Sequence, residues 1–233
     1  MPDKPRGIAR LRLQTHRLAA LSDFYSRTFG LPVIHDEPTS FTVQAGTTEL
    51  TFSQAADENL QPHYHLAFNI PENKLLAAMA WLAERVSLTE RGGSPVFDFP
   101  HWNAHAVYFF DPAGNLAEFI SRHDLPNAAA GPFSAGDLLC ASEIGIVVDD
   151  VPASAAKLKR DLGLATYRTQ TATFEAVGDE HQLFIVVARG RVWFTTDDLR
   201  AGVYPTEVTF RGPAERECQL AELPYRIGVD NKN

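Results

Sequence analysis

One succession of elements runs along this chain three times and begins a fourth: a strand, a helix, then further strands. RLRLQT at residues 10 to 15 alternates polar and apolar, the period of a half-buried strand, with Arg10, Arg12 and Gln14 on one face. Leu18, Leu21, Phe24, Tyr25 and Phe29 follow at helical spacing, and Gly30 stands where a helix C-terminal glycine is expected. LPVIHDE, SFTVQAG and TTELTFSQ then read as strands, with a turn at Gly46. The order restarts with HYHLAFNIP, a predicted helix over residues 72 to 85 behind Pro71, and the strands VFDF, AHAVYFF and NLAEFIS, the last two joined by DPAG at 111 to 114. It restarts again with SEIGIVVDD, a helix PASAAKLKRDLG ended by Gly163, and a strand pair around Gly178. Gly163 follows Gly30 by 133 residues, and Glu143 follows Arg10 by the same 133, each pair at matching points of its unit. PTEVTFRG at 205 to 212 opens a fourth unit, with room after it for a short helix and one strand through YRIGV.

This layout predicts an α+β fold of tandem βαβββ units forming cupped mixed sheets, with the fourth unit truncated. DLPNAAAGPFSAGD, rich in Pro, Gly and Ala, is the expected linker. The expected division is therefore an N-terminal pair of units over 8–123, a linker over 124–138 and an incomplete C-terminal pair over 139–233.

Composition excludes several classes. A formal charge of −8 and a pI near 5.5 disfavour nucleic acid and anionic membranes as partners, since neither meets a basic patch. No apolar run reaches the roughly 20 residues that span a bilayer, and MPDKPRGIARLRLQ has no apolar core of a signal peptide, so cytoplasmic residence is the expectation. Two cysteines, Cys140 and Cys218, read as reduced thiols. No Walker loop, dinucleotide glycine pattern or nucleophile elbow occurs, which leaves no nucleotide cofactor to expect.

Chemistry concentrates in HWNAHAVYFFDPAGNLAEF, residues 101 to 119, where a histidine cluster, a strand, a tight turn and the strand-borne carboxylate of Glu118 occur together. HYHLAF supplies His65, with His63 two positions away and so on the same face of a strand. A carboxylate facing the inside of a sheet requires a cation, whether a metal or an arginine such as Arg10. Trp102, Phe97 and Phe99 can line an apolar pocket, and Arg10, Arg12 and Gln14 can form an anion-binding face.

FYSRTFGLPV at 24 to 33, HLAFNI at 65 to 70 and AVYFFDPAGNLAEFI at 106 to 120 resemble the vicinal oxygen chelate superfamily, which includes glyoxalase I, fosfomycin- and bleomycin-resistance proteins and extradiol ring-cleaving dioxygenases. The resemblance implies that two units pair into a cup holding a divalent metal (Fe, Mn, Zn or Ni) through residues of their first and last strands. On this chain it places ligands at His65 and Glu118, but puts Arg10, which cannot coordinate, at a third ligand position and the last-strand position of the first unit near Leu50. His63, or His16 in a shifted register, is then the substitute nitrogen. The HWNAH run is similar to a segment of the extradiol enzymes, which implies that His101 or His105 moves protons and that Tyr108 orients the substrate. The truncated second pair, with Glu143 and Glu207 at its first-strand positions and Gln182 near a last-strand one, is expected to be an inert cover or interface.

Three functions are open on these residues. The first is a metal-dependent enzyme for ring cleavage, thiohemiacetal isomerisation or epoxide opening. The second is a metal-free protein that binds a small aromatic or anionic molecule, with Arg10 in place of the metal's charge. The third is a degenerate structural paralogue. A homodimer is compatible with each, because units can pair within a chain or across two.

Overall fold

The computed structural model describes residues 7–57, 59–220 and 222–231, so the N-terminal prolines at 2 and 5 lie outside the described residues. Its first unit is β1 (Ile8–Thr15), α1 (Leu18–Asp23), β2 (Val33–Glu37), β3 (Ser40–Ala45) and β4 (Thr48–Gln54). The second is β5 (His65–Ile70), α2 (Leu75–Ala83), β6 (Phe97–Phe99), β7 (Ala104–Phe110) and β8 (Leu116–Arg122). The third is β9 (Cys140–Val148), α3 (Val151–Leu162), β10 (Thr166–Thr171), β11 (Phe174–Asp179) and β12 (Gln182–Ala188). The fourth contains β13 (Thr206–Arg211), β14 (Arg216–Cys218) and β15 (Tyr225–Asp230), with no helix among its described residues. The expected strand through YRIGV is present as β15; among the described residues this unit lacks the expected short helix and one strand of the full plan.

Two curled sheets result. One has the order β14-β15-β13-β1-β4-β3-β2, the other β10-β11-β12-β9-β5-β8-β7-β6. The first unit therefore pairs with the fourth through antiparallel β1 and β13, and the second with the third through antiparallel β5 and β9. This corrects the expected pairing of neighbours over 8–123 and 139–233. Residues 124–138 do not separate two domains: they carry the chain from one half of a sheet to the other, with Phe133 and Leu138 buried in the common core. The physical reason lies in burial. HLAFNI and CASEIGIVV are buried on both faces along their whole length, the mark of strands central in a sheet covered on both sides, and they satisfy each other.

The two sheets share one core on their outer faces, where Leu66, Phe68, Ile144, Ile146, Leu11 and Leu13 meet the helices. The predicted first helix is α1 continued by a wider π turn over Phe24–Thr28, and it ends at Gly30, whose φ of 75° is left-handed as a C-terminal glycine requires. Gly163 caps α3 the same way, at φ 72°. The Tyr25 hydroxyl donates to Asp111 Oδ2 at 3.0 Å, while Asp111 Oδ1 accepts from the backbone of Ala113 and Asn115. The FY pair of the first unit thus holds the DPAG turn of the second, which links two distant motifs physically. Cys140 and Cys218 are buried and unbonded to each other. No described helix is long and apolar enough to cross a membrane.

Candidate metal centre

Period two along three adjacent strands of the eight-stranded sheet brings the site together. His65 on β5, Glu118 on β8 and Glu143 on β9 face the concave side, because Leu66, Phe119 and Ile144 next to them face the helices. The register sets Ala67 of β5 beside both Glu118 and Glu143, so the two acids flank one central strand. His65 Nε2 lies 3.7 Å from Glu118 Oε2 and 3.9 Å from Glu143 Oε2. One ligand atom from each of the three lies within 4.8 Å of the others, and all three residues are buried.

The hydrogen bonds fix what these atoms present. His65 Nδ1 is 3.1 Å from the Leu116 carbonyl oxygen, which can only accept, so Nδ1 carries the proton and Nε2 its lone pair. Burial lowers the His65 pKa to about 4 against a smaller opposing effect of that hydrogen bond, so the ring is neutral near pH 7. The His65 Nε2 lone pair therefore converges with one carboxyl oxygen from each acid. Glu143 has a counter-ion, the buried Arg122, whose Nη2 donates to its Oε1 and whose Nε donates to Asn69 Oδ1 at 3.1 Å. Glu118 makes no ion pair with an arginine or lysine among the described residues; burial, then the charge of Glu143, pushes its pKa well up against the smaller opposing effects of the Tyr108 hydroxyl and the Arg122 charge. Burial also raises the Glu143 pKa, with Arg122 opposing.

Both separations from His65 Nε2 suit a shared divalent ion. Two atoms that share an ion at roughly 2.1 Å each stand at most about 4.2 Å apart, which the 3.7 and 3.9 Å separations satisfy. The ion would supply the positive charge that Glu118 lacks.

The donors open into a cavity of about 480 Å³ whose wall is mainly aromatic and aliphatic, including Phe99, Trp102, Phe174, Ile185, Trp193 and Phe194. Residues 189–205, the excursion between β12 and β13, bring Trp193 to 5.1 Å from the His65 ring centroid. Gly145 makes room for it, since a Cβ there would stand 2.6 Å from the indole. Trp102 Nε1 donates to Thr169 Oγ1 at 3.0 Å, which fixes the opposite wall.

Of the residues singled out in the sequence, His65, Glu118, Tyr108 and Trp102 meet at the cavity, and His101 stands exposed at its mouth on a short 3-10 turn. His105 alternates with Tyr108 on β7 and so faces away, with Nδ1 2.8 Å from His123 Nε2 and Nε2 3.5 Å from Asp98. His63 precedes β5 instead of lying on it, so the period-two argument does not apply, and its ring lies against the Arg200 carbonyl and Tyr204. His16 lies against Gln54. Arg10, Arg12 and Gln14 do share a face, but it belongs to the other sheet, where Arg10 pairs with Asp230 at 3.0 Å. Arg10 consequently replaces no ligand of this centre.

Sequence reading missed Glu143 as a member of this group, and missed Arg122 and Trp193. The signal for Glu143 was the 133-residue offset that matched it to Arg10, a ligand position. Arg122 was legible as the next but one inward residue after Glu118 on β8.

Residues 7–119 match the Glyoxalase/Bleomycin resistance protein/Dioxygenase superfamily. No curated protein sequence matches the chain. Among solved structures, a protein of Bacillus subtilis subsp. subtilis str. 168 provisionally described as a dioxygenase superposes with a TM-score of 0.64 at 14% identity, covering 99% of this chain and 87% of its own. Glyoxalase I from Zea mays superposes with a TM-score of 0.54 at 14% identity, covering 96% of this chain and 92% of its own. These likenesses are of fold.

Proposed function

We propose that this protein, whose residues 7–119 match the glyoxalase/bleomycin resistance protein/dioxygenase superfamily and whose fold resembles that of the solved structures above, is a metal-dependent enzyme acting on a small molecule, with His65, Glu118 and Glu143 as ligands. The observation that carries this reading is the convergence of the His65 Nε2 lone pair and one carboxyl oxygen from each of two acids in a buried cup. One imidazole and two carboxylates favour Mn(II) or Fe(II) over softer ions. When bound, such an ion acts as a Lewis acid toward a substrate that offers two oxygens.

The chain's own groups have separate tasks. Arg122 opposes the rise in Glu143 pKa that burial causes and holds the carboxyl in place, leaving Oε2 toward the centre. Tyr108, whose pKa burial and then Glu118 raise well above the usual phenol value, stays protonated and orients the Glu118 carboxylate. Trp193 and the aromatic wall exclude water and accept an apolar or ring-bearing substrate, which among the superfamily's reactions favours ring cleavage. His101, at the mouth, is the imidazole placed to exchange protons between cavity and solvent. Both halves of the cup come from one chain, so the centre is complete without a second copy.

Titration of chelator-treated protein with Mn(II), followed by electron paramagnetic resonance, tests the reading. One ion per chain is expected, with affinity reduced about a hundredfold in His65→Ala. Absence of saturable binding to the wild type refutes it. Arg122 favours a second reading, a metal-free binding protein in which this arginine supplies the fixed charge; small-molecule binding with no metal uptake would establish that one.

A further inference from the structure

Away from the three donors, the cavity wall carries a guanidinium with no ion pair or hydrogen bond among the described residues. Arg191, at the start of the 189–205 excursion, lines the cavity with its Cζ 5.2 Å from the Phe174 ring centroid, and among the described residues its side chain makes no ion pair or hydrogen bond. Its neighbours are engaged: Arg189 holds Asp149 through two bonds of 2.7 and 3.0 Å, and Arg200 donates to the Gly190 carbonyl at 2.9 Å. Arg122 is committed to Glu143. Burial lowers the Arg191 pKa with no carboxylate to offset it. A partly desolvated cation without an anion is unfavourable until one arrives, and a guanidinium binds planar oxyanions through paired hydrogen bonds.

Strand register locates this cation relative to the donors. Leu183 of β12 stands beside Glu143, and Val187 stands beside Phe174. Four residues of strand, about 13 Å at ~3.3 Å per residue, therefore separate the level of the acid from the ring under Arg191. Ile185 and Trp102 line the same cavity.

Resting on the reading of this cavity as a substrate site, we propose that Arg191 is its anion-recognising residue and that the substrate class is an elongated aromatic compound with an oxyanion at the end remote from His65, Glu118 and Glu143. The apolar wall holds the ring, and Arg191 sets the compound's direction in the cavity, so that its uncharged oxygens reach the donors.

Two fluorescent probes that differ only in a sulfonate test this: 1-anilinonaphthalene-8-sulfonate and uncharged N-phenyl-1-naphthylamine, titrated into the full chain. The wild type is expected to bind the sulfonate about tenfold more tightly, Arg191→Gln to weaken it about tenfold while leaving the neutral probe within about twofold, and Arg191→Lys to recover part of the loss. Ile185→Trp, which fills the cavity, is expected to expel both probes. Equal weakening of both probes in Arg191→Gln, unchanged sulfonate binding, or probe binding indifferent to Ile185→Trp would overturn the proposal. Mn(II) titration of the same proteins separates the two readings: absent metal uptake with intact charge discrimination removes the metal enzyme and keeps the anion subsite, whereas normal uptake without discrimination does the reverse.

Discussion

The protein builds two cups on one plan and closes only one of them. Register matches their positions: in the seven-stranded sheet Arg10 takes the place of Glu143, Glu207 that of His65 and Gly228 that of Glu118. The side chains of His65, Glu118 and Glu143 are 7%, 3% and 2% exposed, whereas Arg10 and Glu207 are 53% and 47% exposed. The concave face of the closed cup is apolar around its charged floor, with Tyr108, Ile120, Ile185 and Trp193. That of the open cup carries Arg10, Arg12, Glu49, Thr51, Glu207 and Thr209, a polar face in water. Among its described residues the fourth unit brings no helix and nothing like the 189–205 excursion that lays Trp193 over its cup. Charged groups at matched positions acquire demanding chemistry only where the chain also removes the water.

The sharpest way to break this contrast is to remove a cation from each cup. Arg122→Met leaves Glu143 buried and unpaired, and a loss of about 3 to 5 kcal/mol is expected in urea unfolding of the metal-free protein at neutral pH. The loss shrinks at low pH, where Glu143 is neutralised by a proton. Arg226→Met, which removes the partner of Glu207 in the exposed pair at 3.3 Å, is expected to change stability by less than about 0.5 kcal/mol. Comparable losses in the two variants would mean that burial is not what distinguishes the cups.

A pair of glycines sharpens it further. A Cβ on Gly145 would collide with Trp193 at 2.6 Å, so Gly145→Ala must displace the indole or the strand, at about 1 to 3 kcal/mol. Trp193 is one of three tryptophans, and its movement from the apolar wall should appear as a red shift in emission. In the open cup a Cβ on Gly228 meets only the Arg216 carbonyl at 3.5 Å, an ordinary contact, and Gly228→Ala is expected to be near neutral.

How much of this was legible before the fold is itself a matter of the two cups. The units, their strands, the Gly30 and Gly163 caps and the DPAG turn could all be read locally, because each depends on periodicity or on backbone conformation within a few residues. His65 and Glu118 were legible through the motifs around them. The pairing of units was not, since hydrogen bonding between β5 and β9 leaves no mark in either strand beyond both being apolar on two faces. Assigning Arg10 to the centre followed from pairing neighbours, and once β9 is placed beside β5 the 133-residue offset turns that error into Glu143. His63 failed for a smaller reason: the strand begins two residues later.

The proton balance of the closed cup gives a pH-dependent test. Burial, then the charge of Glu143, raises the Glu118 pKa, so the folded metal-free protein holds a proton there that the unfolded chain gives up at lower pH. The associated stability is present in acid and is lost as pH rises through the raised value. A divalent ion displaces that proton, so metal affinity is expected to rise up to about tenfold per pH unit until Glu118 is ionised. His65, with a pKa of about 4, imposes no proton competition near neutrality and acts in the opposite sense: its contribution is present above its unfolded value and is lost as pH falls toward 4. Calorimetry in buffers of different ionisation enthalpy should count about one proton released per ion bound near neutrality. Release of none would mean that Glu118 is already ionised without the ion, and that the ion supplies no charge this carboxyl lacks.

The smallest expected effect concerns Arg10, and it separates position from environment. Arg10 stands at the counterpart of a ligand position and pairs with Asp230 at 3.0 Å, yet its side chain is half exposed. Water and salt screen such a pair, so Arg10→Ala should cost no more than about 0.5 to 1 kcal/mol, and less at high ionic strength. Mn(II) affinity should be unchanged, because β1 belongs to the other sheet. A loss of metal binding in Arg10→Ala would show that the two cups communicate through their shared core. A large loss of stability would show that the open cup is drier in solution than its exposure implies. The matched position would then carry an energetic role that its register alone does not give it.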